Sequence, residues 1–398
     1  MSKFVRATLK SGKEKSVQRC HPWVFANAIE RIDGEVEAGE AVEVFSHQGE
    51  WLAWGVISPW SQIRLRLWSW DRSLAIDQSL LRDRLKKALK LRETVLCSAR
   101  TNCMRLVHAE SDGLPGLIVD RYDDYLVVQF LSWGVERRKD QIVQELFSLT
   151  NCSNIYERSD GEVRKLEGLD ERSGVLMGKE PPEVVNVIEN GIQYAVDLRK
   201  GHKTGFYLDQ KENRLRVMKY SKGKEVLDCF SYTGGMTLPA LIGGSPQVTC
   251  IDESMAAHEL LKRNLALNRI PADKVCLECG DVFQLLRQYR DRGRTFDLII
   301  LDPPKFAPTV AHVSKASRGY KDINLLALKL LKQEGILITF SCSGGVSLDL
   351  FKKIVHGAAL DAKRNVKIIE HLHQASDHPI DLSFPEGEYL KGLILMVD

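Results

Sequence analysis

The stretch EVLDCFSYTGG, Glu225 to Gly235, decides the fold. Its first half is a short apolar run that ends in an acid, the pattern of a buried strand reaching a functional edge. Its second half carries the paired glycines Gly234 and Gly235, which permit a tight turn and let a ligand approach backbone NH groups. Working outward, strands and helices alternate from about Asn190 onward. The strand-like pieces QVTCID, KVCLEC, FDLIILD, GILITFS, VKIIEHL and YLKGLILMV are separated by helical patterns such as MAAHELLKRNLALN, VFQLLRQYR and INLLALKLLKQ. Such alternation calls for a mostly parallel sheet with helices on both faces, and ligands then bind beyond the carboxyl ends of the strands.

The polar residues fall at those ends. The first strand runs into Asp228, Phe230, Ser231, Tyr232, Thr233 and Gly234, the second ends in Asp252, and the third leads into Gly280-Asp281-Val282-Phe283. A glycine turn, an acid placed for two ribose hydroxyls and an acid with an apolar neighbour for an adenine predict S-adenosylmethionine as the cofactor. The rival is a dinucleotide-binding domain, which also has an acid about 20 positions after its glycine turn. SYTGG lacks the GxGxxG spelling, and that domain has no need of an adenine contact from Asp281. Taken singly, each acid is equally a loop or helix-cap residue.

The fourth strand ends in Asp302-Pro303-Pro304-Lys305-Phe306 and the fifth in Phe340-Ser341-Cys342-Ser343-Gly344. Two successive prolines fix φ twice and aim the polar groups beside them rigidly. Carbon 5 of cytosine is a poor nucleophile, and it becomes reactive when a thiolate adds at carbon 6. Cys342 is the candidate nucleophile, with Lys305 nearby to favour its thiolate. Asp302 is the candidate that hydrogen-bonds the ring nitrogen as charge develops. Cys229 reads as packing, and the group that removes the carbon 5 proton is not identified.

Ahead of this region, residues 1–72 show short alternating stretches, AVEVF, WLAWGVI and IRLRLWSW, broken by turn residues, which predicts a small β-barrel. Its tryptophans sit among Arg64, Arg66 and a basic start in which Lys3, Arg6, Lys10, Lys13, Lys15 and Arg19 face only Glu14. Aromatic and cationic side chains together suit stacked bases and phosphates, although a solvated face is the commoner meaning of such charge. Residues 73–189 open with an amphipathic helix and read as a central α+β domain; residues 190–398 form the domain described first. The formal net charge of +3 does not by itself imply a nucleic-acid partner. No stretch resembles a secretory signal or a membrane span, so a cytoplasmic protein without membrane association is expected. The nine cysteines are irregularly spaced and read as reduced thiols. Cys276 and Cys279 form a lone CxxC, and His371, His373 and His378 lack a supporting acid or thiol cluster, so no metal is expected.

The motifs HPWVFANAI (His21 to Ile29), AESDGLPGLIVDRY around Asp112, GHKTGFYLDQ (Gly201 to Gln210), DCFSYTGG, DPPKF, RGYKDIN (Arg318 to Asn324) and FSCSG together make the chain resemble the bacterial large-subunit ribosomal RNA methyltransferase I family. Its members methylate cytosine carbon 5 in 23S rRNA, and the likeness runs over nearly the whole chain. The resemblance implies an α/β architecture in which a PUA-like RNA-binding β-barrel and a small central α+β domain precede a Rossmann-like class I methyltransferase sheet of seven strands. It implies that Cys342 matches the nucleophile of FSCS and that the segment with Phe206, Tyr207 and Gln210 closes over cofactor or base. It implies 23S rRNA as the partner and leaves a homodimer open; Lys305, Lys13, Lys15, Arg19 and Arg64 are the candidate RNA contacts. Many RNA cytosine methyltransferases carry a second cysteine where Lys305 stands, so the release step follows another course here. Two other readings of the same residues are an rRNA guanine methyltransferase, which needs no thiol, and a noncatalytic rRNA-binding assembly factor.

Overall fold

The structure, a computed structural model, describes residues 4–95, 100–306 and 313–398. Lys3, in the basic start, and Cys97, at the expected end of the first long helix, lie outside the described residues. The chain forms two compact units, one made of Met1–Val187, Val196–Phe206 and Ser376–Gly387, the other of Ile188–Ala195, Tyr207–Ala375 and Glu388–Asp398.

The first unit contains a six-stranded and a five-stranded sheet. In the six-stranded sheet Val5–Leu9 pairs in parallel with Ala41–Phe45 and antiparallel with Ile29–Asp33, around a core that includes Ala7, Leu9, Val42, Val44, Leu65 and Leu67. The five-stranded sheet is covered by the helices Gln78–Val95 and Lys139–Thr150, whose buried Leu81, Leu85, Ile142 and Leu146 recur at helical spacing. Two of the quoted motifs hold this unit together. Asp112 receives the fully buried Arg92 guanidinium at 2.7 Å. Asp120 takes Arg105 through both oxygens at 2.8 Å and the Thr204 hydroxyl at 2.6 Å, which fastens the segment Val196–Phe206 to the sheet. Such fully bonded buried charges are costly to break, because the partner left behind has no water to replace the bond.

In the second unit seven strands form one sheet, numbered here along the chain: β1 Glu225–Cys229, β2 Gln247–Asp252, β3 Val275–Cys279, β4 Phe296–Leu301, β5 Leu331–Ser341, β6 Val366–His373 and β7 Lys391–Val397. Their order is β3-β2-β1-β4-β5-β7-β6. The first five strands pair in parallel, and β7 lies antiparallel between β5 and β6. The runs VLDC and LIIL are buried throughout because helices cover both faces of a parallel sheet. On one face α1 Val313–Leu330 and α2 Leu348–Ala362 contribute Tyr320, Ile323, Ala327, Phe351 and Val355 to a core shared with Leu227, Ile299 and Leu337. The helix α1 begins well before the INLLALKLLKQ pattern. Its early residues RGYKD are mostly polar, yet Ala316 and Tyr320 face the core one turn apart. The strand order reverses beside β1, so the ends of β1, β2, β4 and β5 meet along one edge.

Candidate active site

The loop after β1 is held in a strained shape. Phe230 (φ 63°), Tyr232 (φ 47°) and Gly234 (φ 84°) all lie in the left-handed region, which costs a residue with a Cβ on the order of 1 kcal/mol or more. Bonds from β2 impose it: Ser231 donates its NH to the Ile251 carbonyl at 3.1 Å, and Tyr232 donates its NH to Asp252 Oδ2 at 2.9 Å. At Gly234 a Cβ would come within 2.9 Å of the Leu261 side chain and 3.0 Å of Leu238, so only glycine fits. Thr233 is buried, with its carbonyl receiving the Asn264 amide at 2.8 Å.

Asp252 orients its carboxylate with the two NH bonds from Tyr232 and Ser254, both 2.9 Å. Asp281 caps the helix Val282–Asp291, accepting the Gln284 NH at 2.7 Å through Oδ1. The cap does not exclude a ligand, since the second oxygen keeps its acceptor capacity. Asp228 is different in kind. It is buried; Oδ2 accepts the Thr237 hydroxyl at 2.7 Å, and Oδ1 has no hydrogen-bond partner among the described residues. Burial pushes its pKa up to about 7, Thr237 opposes the shift, and the charges of Asp302 and Asp252 add to it. An orphaned buried carboxylate oxygen beside a glycine turn suits a cationic amine, such as the one on the amino-acid part of S-adenosylmethionine.

Asp302 follows β4, and its Oδ2 accepts the Gln210 side-chain amide at 2.9 Å. Gln210 in turn accepts the Asn213 amide at 2.6 Å, and Asn213 also donates to the His373 carbonyl at 3.0 Å. Gln210 and Asn213 are buried, so Asp302 is aimed by a short fixed relay. The resemblance implies that Gln210 closes over cofactor or base; in the structure its amide bonds Asp302, and Asn213 was not picked out from the sequence. Phe206 belongs to the first unit, where it is buried and donates its NH to the Tyr122 hydroxyl at 3.2 Å. Tyr207 packs edge-on against the Tyr232 ring, with centroids 5.8 Å apart, and burial holds its phenol protonated.

Cys342 stands just beyond β5, half-buried, between the fully buried Ser341 and Ser343. Ser343 shares a 3.0 Å hydrogen bond with the Tyr320 hydroxyl, and its carbonyl accepts the Lys391 ammonium at 2.9 Å. Phe340 packs over Gly392 of β7, where a Cβ would come within 2.6 Å of the ring. Lys305, in the segment that follows Asp302, is exposed. Cys229 is fully buried, its thiol pushed up by burial, which leaves it a packing residue. In the first unit Lys13, Lys15 and Arg19 are exposed and Arg64 is half-buried. Among the described residues no group of three or more His, Cys, Asp or Glu side chains gathers as a metal site would need.

A mostly parallel sheet with this strand order and one antiparallel strand, a strained glycine loop after its first strand and acids at the next two strand ends define an S-adenosylmethionine-dependent methyltransferase. The model of that family, described as S-adenosylmethionine-dependent methyltransferase, matches residues 162–381, and a PUA-like domain model matches residues 7–70. Proteins named ribosomal RNA large subunit methyltransferase I are 50% identical over 389 residues in Aliivibrio fischeri, covering 98% of each chain, and 49% identical over 395 residues in Shewanella frigidimarina, covering 99% of each. The chain belongs to the ribosomal RNA large subunit methyltransferase I family. Among solved structures, a methyltransferase complexed with S-adenosylhomocysteine shares the fold with a TM-score of 0.87 at 24% identity, covering 98% of this chain and 100% of that one. A methyltransferase from Streptococcus mutans does so with a TM-score of 0.85 at the same identity and coverage. No helix among the described residues is long and apolar enough to cross a membrane.

Proposed function

We propose that this protein methylates carbon 5 of a cytosine in 23S rRNA and that Cys342 is its nucleophile. The observation that carries the reading is the position of Cys342, at the cofactor edge of the sheet and flanked by two buried serines that fix its backbone. When bound, S-adenosylmethionine supplies an electrophilic methyl group. Asp228, Asp252 and Asp281 would hold its amine, ribose and adenine, with Phe230, Ser231, Tyr232, Thr233 and Gly234 shaping the loop against it. The Cys342 thiolate adds to carbon 6 of the ring, which raises electron density at carbon 5. Asp302, steered by Gln210, hydrogen-bonds the ring edge as that charge develops. Lys305 and the exposed Lys13, Lys15 and Arg19, with Arg64, are suited to phosphates. The names of the relatives and the PUA-like domain support large-subunit rRNA as the substrate.

The test is Cys342→Ala in the full chain. Methylation of 23S rRNA should vanish while calorimetry shows S-adenosylmethionine bound as in the parent. Full activity in that variant would overturn the covalent route. Mass analysis of nucleosides from the product should give 5-methylcytidine, and a methylated guanosine would favour the thiol-free alternative.

A further inference from the structure

After the methyl group reaches carbon 5, that carbon still carries its hydrogen, and the ring stays attached to Cys342 until a base takes the proton. The wider superfamily's second cysteine is replaced here by Lys305. A different group stands at the same edge. Lys391 opens β7, and because β7 runs antiparallel to β5, its first residue lies where β5 ends, paired with Ser341. Its side chain is buried, 5% exposed, and its hydrogen bond goes to the carbonyl of Ser343, the residue after Cys342. It forms no ion pair among the described residues.

The backbone around this lysine is tightly held. Tyr389 donates its NH to Gln374 at 3.1 Å and its hydroxyl to Asp209 at 2.6 Å. Gly392 lets the Phe340 ring lie directly over the chain. An ammonium is disfavoured out of water, so burial lowers the Lys391 pKa; Cys342 and Glu388 oppose the shift, and Lys305 adds to it. The buried phenols of Tyr207 and Tyr320 are pushed up instead, which keeps them protonated and unfit as bases at neutral pH.

We propose that Lys391, as a neutral amine, is the base that removes the carbon 5 proton and frees the RNA from Cys342; this rests on the reading of Cys342 as the nucleophile. Thiolate and methyl donor must approach the planar ring from opposite faces, since neither can occupy the other's place. The hydrogen left at carbon 5 therefore faces the sulfur side, where Lys391 stands. The amine takes that proton and becomes an ammonium. The carbon–hydrogen electron pair forms the double bond between carbons 5 and 6, the carbon–sulfur bond breaks, and its pair leaves on sulfur as the thiolate. The ammonium then returns its proton to solvent.

The experiment uses the full chain with Lys391→Met and Lys391→Arg, in-vitro transcribed 23S rRNA and S-adenosylmethionine. Arginine keeps the positive charge and can still donate to the Ser343 carbonyl, but it does not give up its proton near neutrality. Both variants should transfer about one methyl per chain, stall as a protein–RNA adduct that survives denaturing electrophoresis, and lose roughly 100-fold or more in turnover. The methyl burst shows that a stalled variant is folded. Should Lys391→Met not fold, Lys391→Arg carries the test, and added ethylamine should speed adduct resolution in Lys391→Ala. Turnover near the parent rate, or loss of methyl transfer without an adduct, would overturn the proposal. A transcript containing 5-fluorocytidine separates this from the underlying reading, because its carbon 5 has no proton to lose and the parent protein should be trapped on it. No trapping there defeats the role of Cys342; trapping together with normal turnover in the lysine variants defeats only that of Lys391.

Discussion

Replacing Asp228 by Asn should separate stability from cofactor binding. In the folded protein the carboxyl titrates at about 7, against an ordinary value of 3.8. With the folded pKa above the unfolded one, the stability this group contributes is complete below about pH 4 and is lost as pH rises toward about 7. Each pH unit in that window costs roughly 1.4 kcal/mol, so between pH 5 and pH 8 the parent loses about 2–3 kcal/mol through this one side chain. Asparagine does not titrate. It can still accept the Thr237 hydroxyl, although its NH2 inherits the unpartnered position of Oδ1, a fixed cost of about 1–3 kcal/mol. The melting temperature of the ligand-free variant, minus that of the parent, should therefore rise by roughly 5–10 °C from pH 5 to pH 8. In calorimetry, S-adenosylmethionine should bind the parent more tightly as pH rises through about 7. The variant should bind it weakly and with little pH dependence. A melting gap that stays constant across that pH range would refute the reasoning, because it would mean that Asp228 is not held neutral by burial.

Three further outcomes follow from the same geometry. Asp252→Ala removes the acceptor of the Tyr232 and Ser254 NH groups and, with it, the proposed partner of the ribose, so S-adenosylmethionine affinity should fall about 100-fold by calorimetry. Gln210→Leu strips Asp302 of its amide donor, and steady-state kinetics should show kcat/KM for rRNA lowered about tenfold with the fold intact by circular dichroism. Gly392→Ala forces a Cβ into the Phe340 ring, and thermal unfolding should register a loss of about 1–3 kcal/mol together with slower methylation.

The strand ends were legible because a buried parallel strand has an unmistakable spelling, and an acid that closes such a run, Asp252 after VTCI or Asp302 after LIIL, can lie only at the sheet edge. The strained turn at Phe230 and Tyr232 was not legible, since neither residue type announces a positive φ; bonds from β2 impose it. Gln210 and Asn213 were hidden because their partners, Asp302 and the His373 carbonyl, are far away in sequence. The resemblance groups Phe206 with Tyr207 and Gln210 in one motif; by contacts Phe206 belongs to the first unit and Tyr207 and Gln210 to the second, a division that the motif's spelling does not reveal. Lys391 was read as part of an apolar strand. The available signal was the lysine within YLKGLILMV, where a strand buried on both faces has no ordinary place for a charge. In the first unit the strands Val5–Leu9 and Ile29–Asp33 escaped notice because their pairing is set by partners elsewhere in the sheet more than by their own alternation.

The covalent role of Cys342 is tested most directly by digesting the adduct formed on 5-fluorocytidine 23S rRNA and mapping it by mass spectrometry. The expected result is one modified peptide, carrying a methylated fluoropyrimidine nucleotide on the Cys342 sulfur. An adduct on another residue, or none despite methylation of ordinary rRNA by the same preparation, would contradict it.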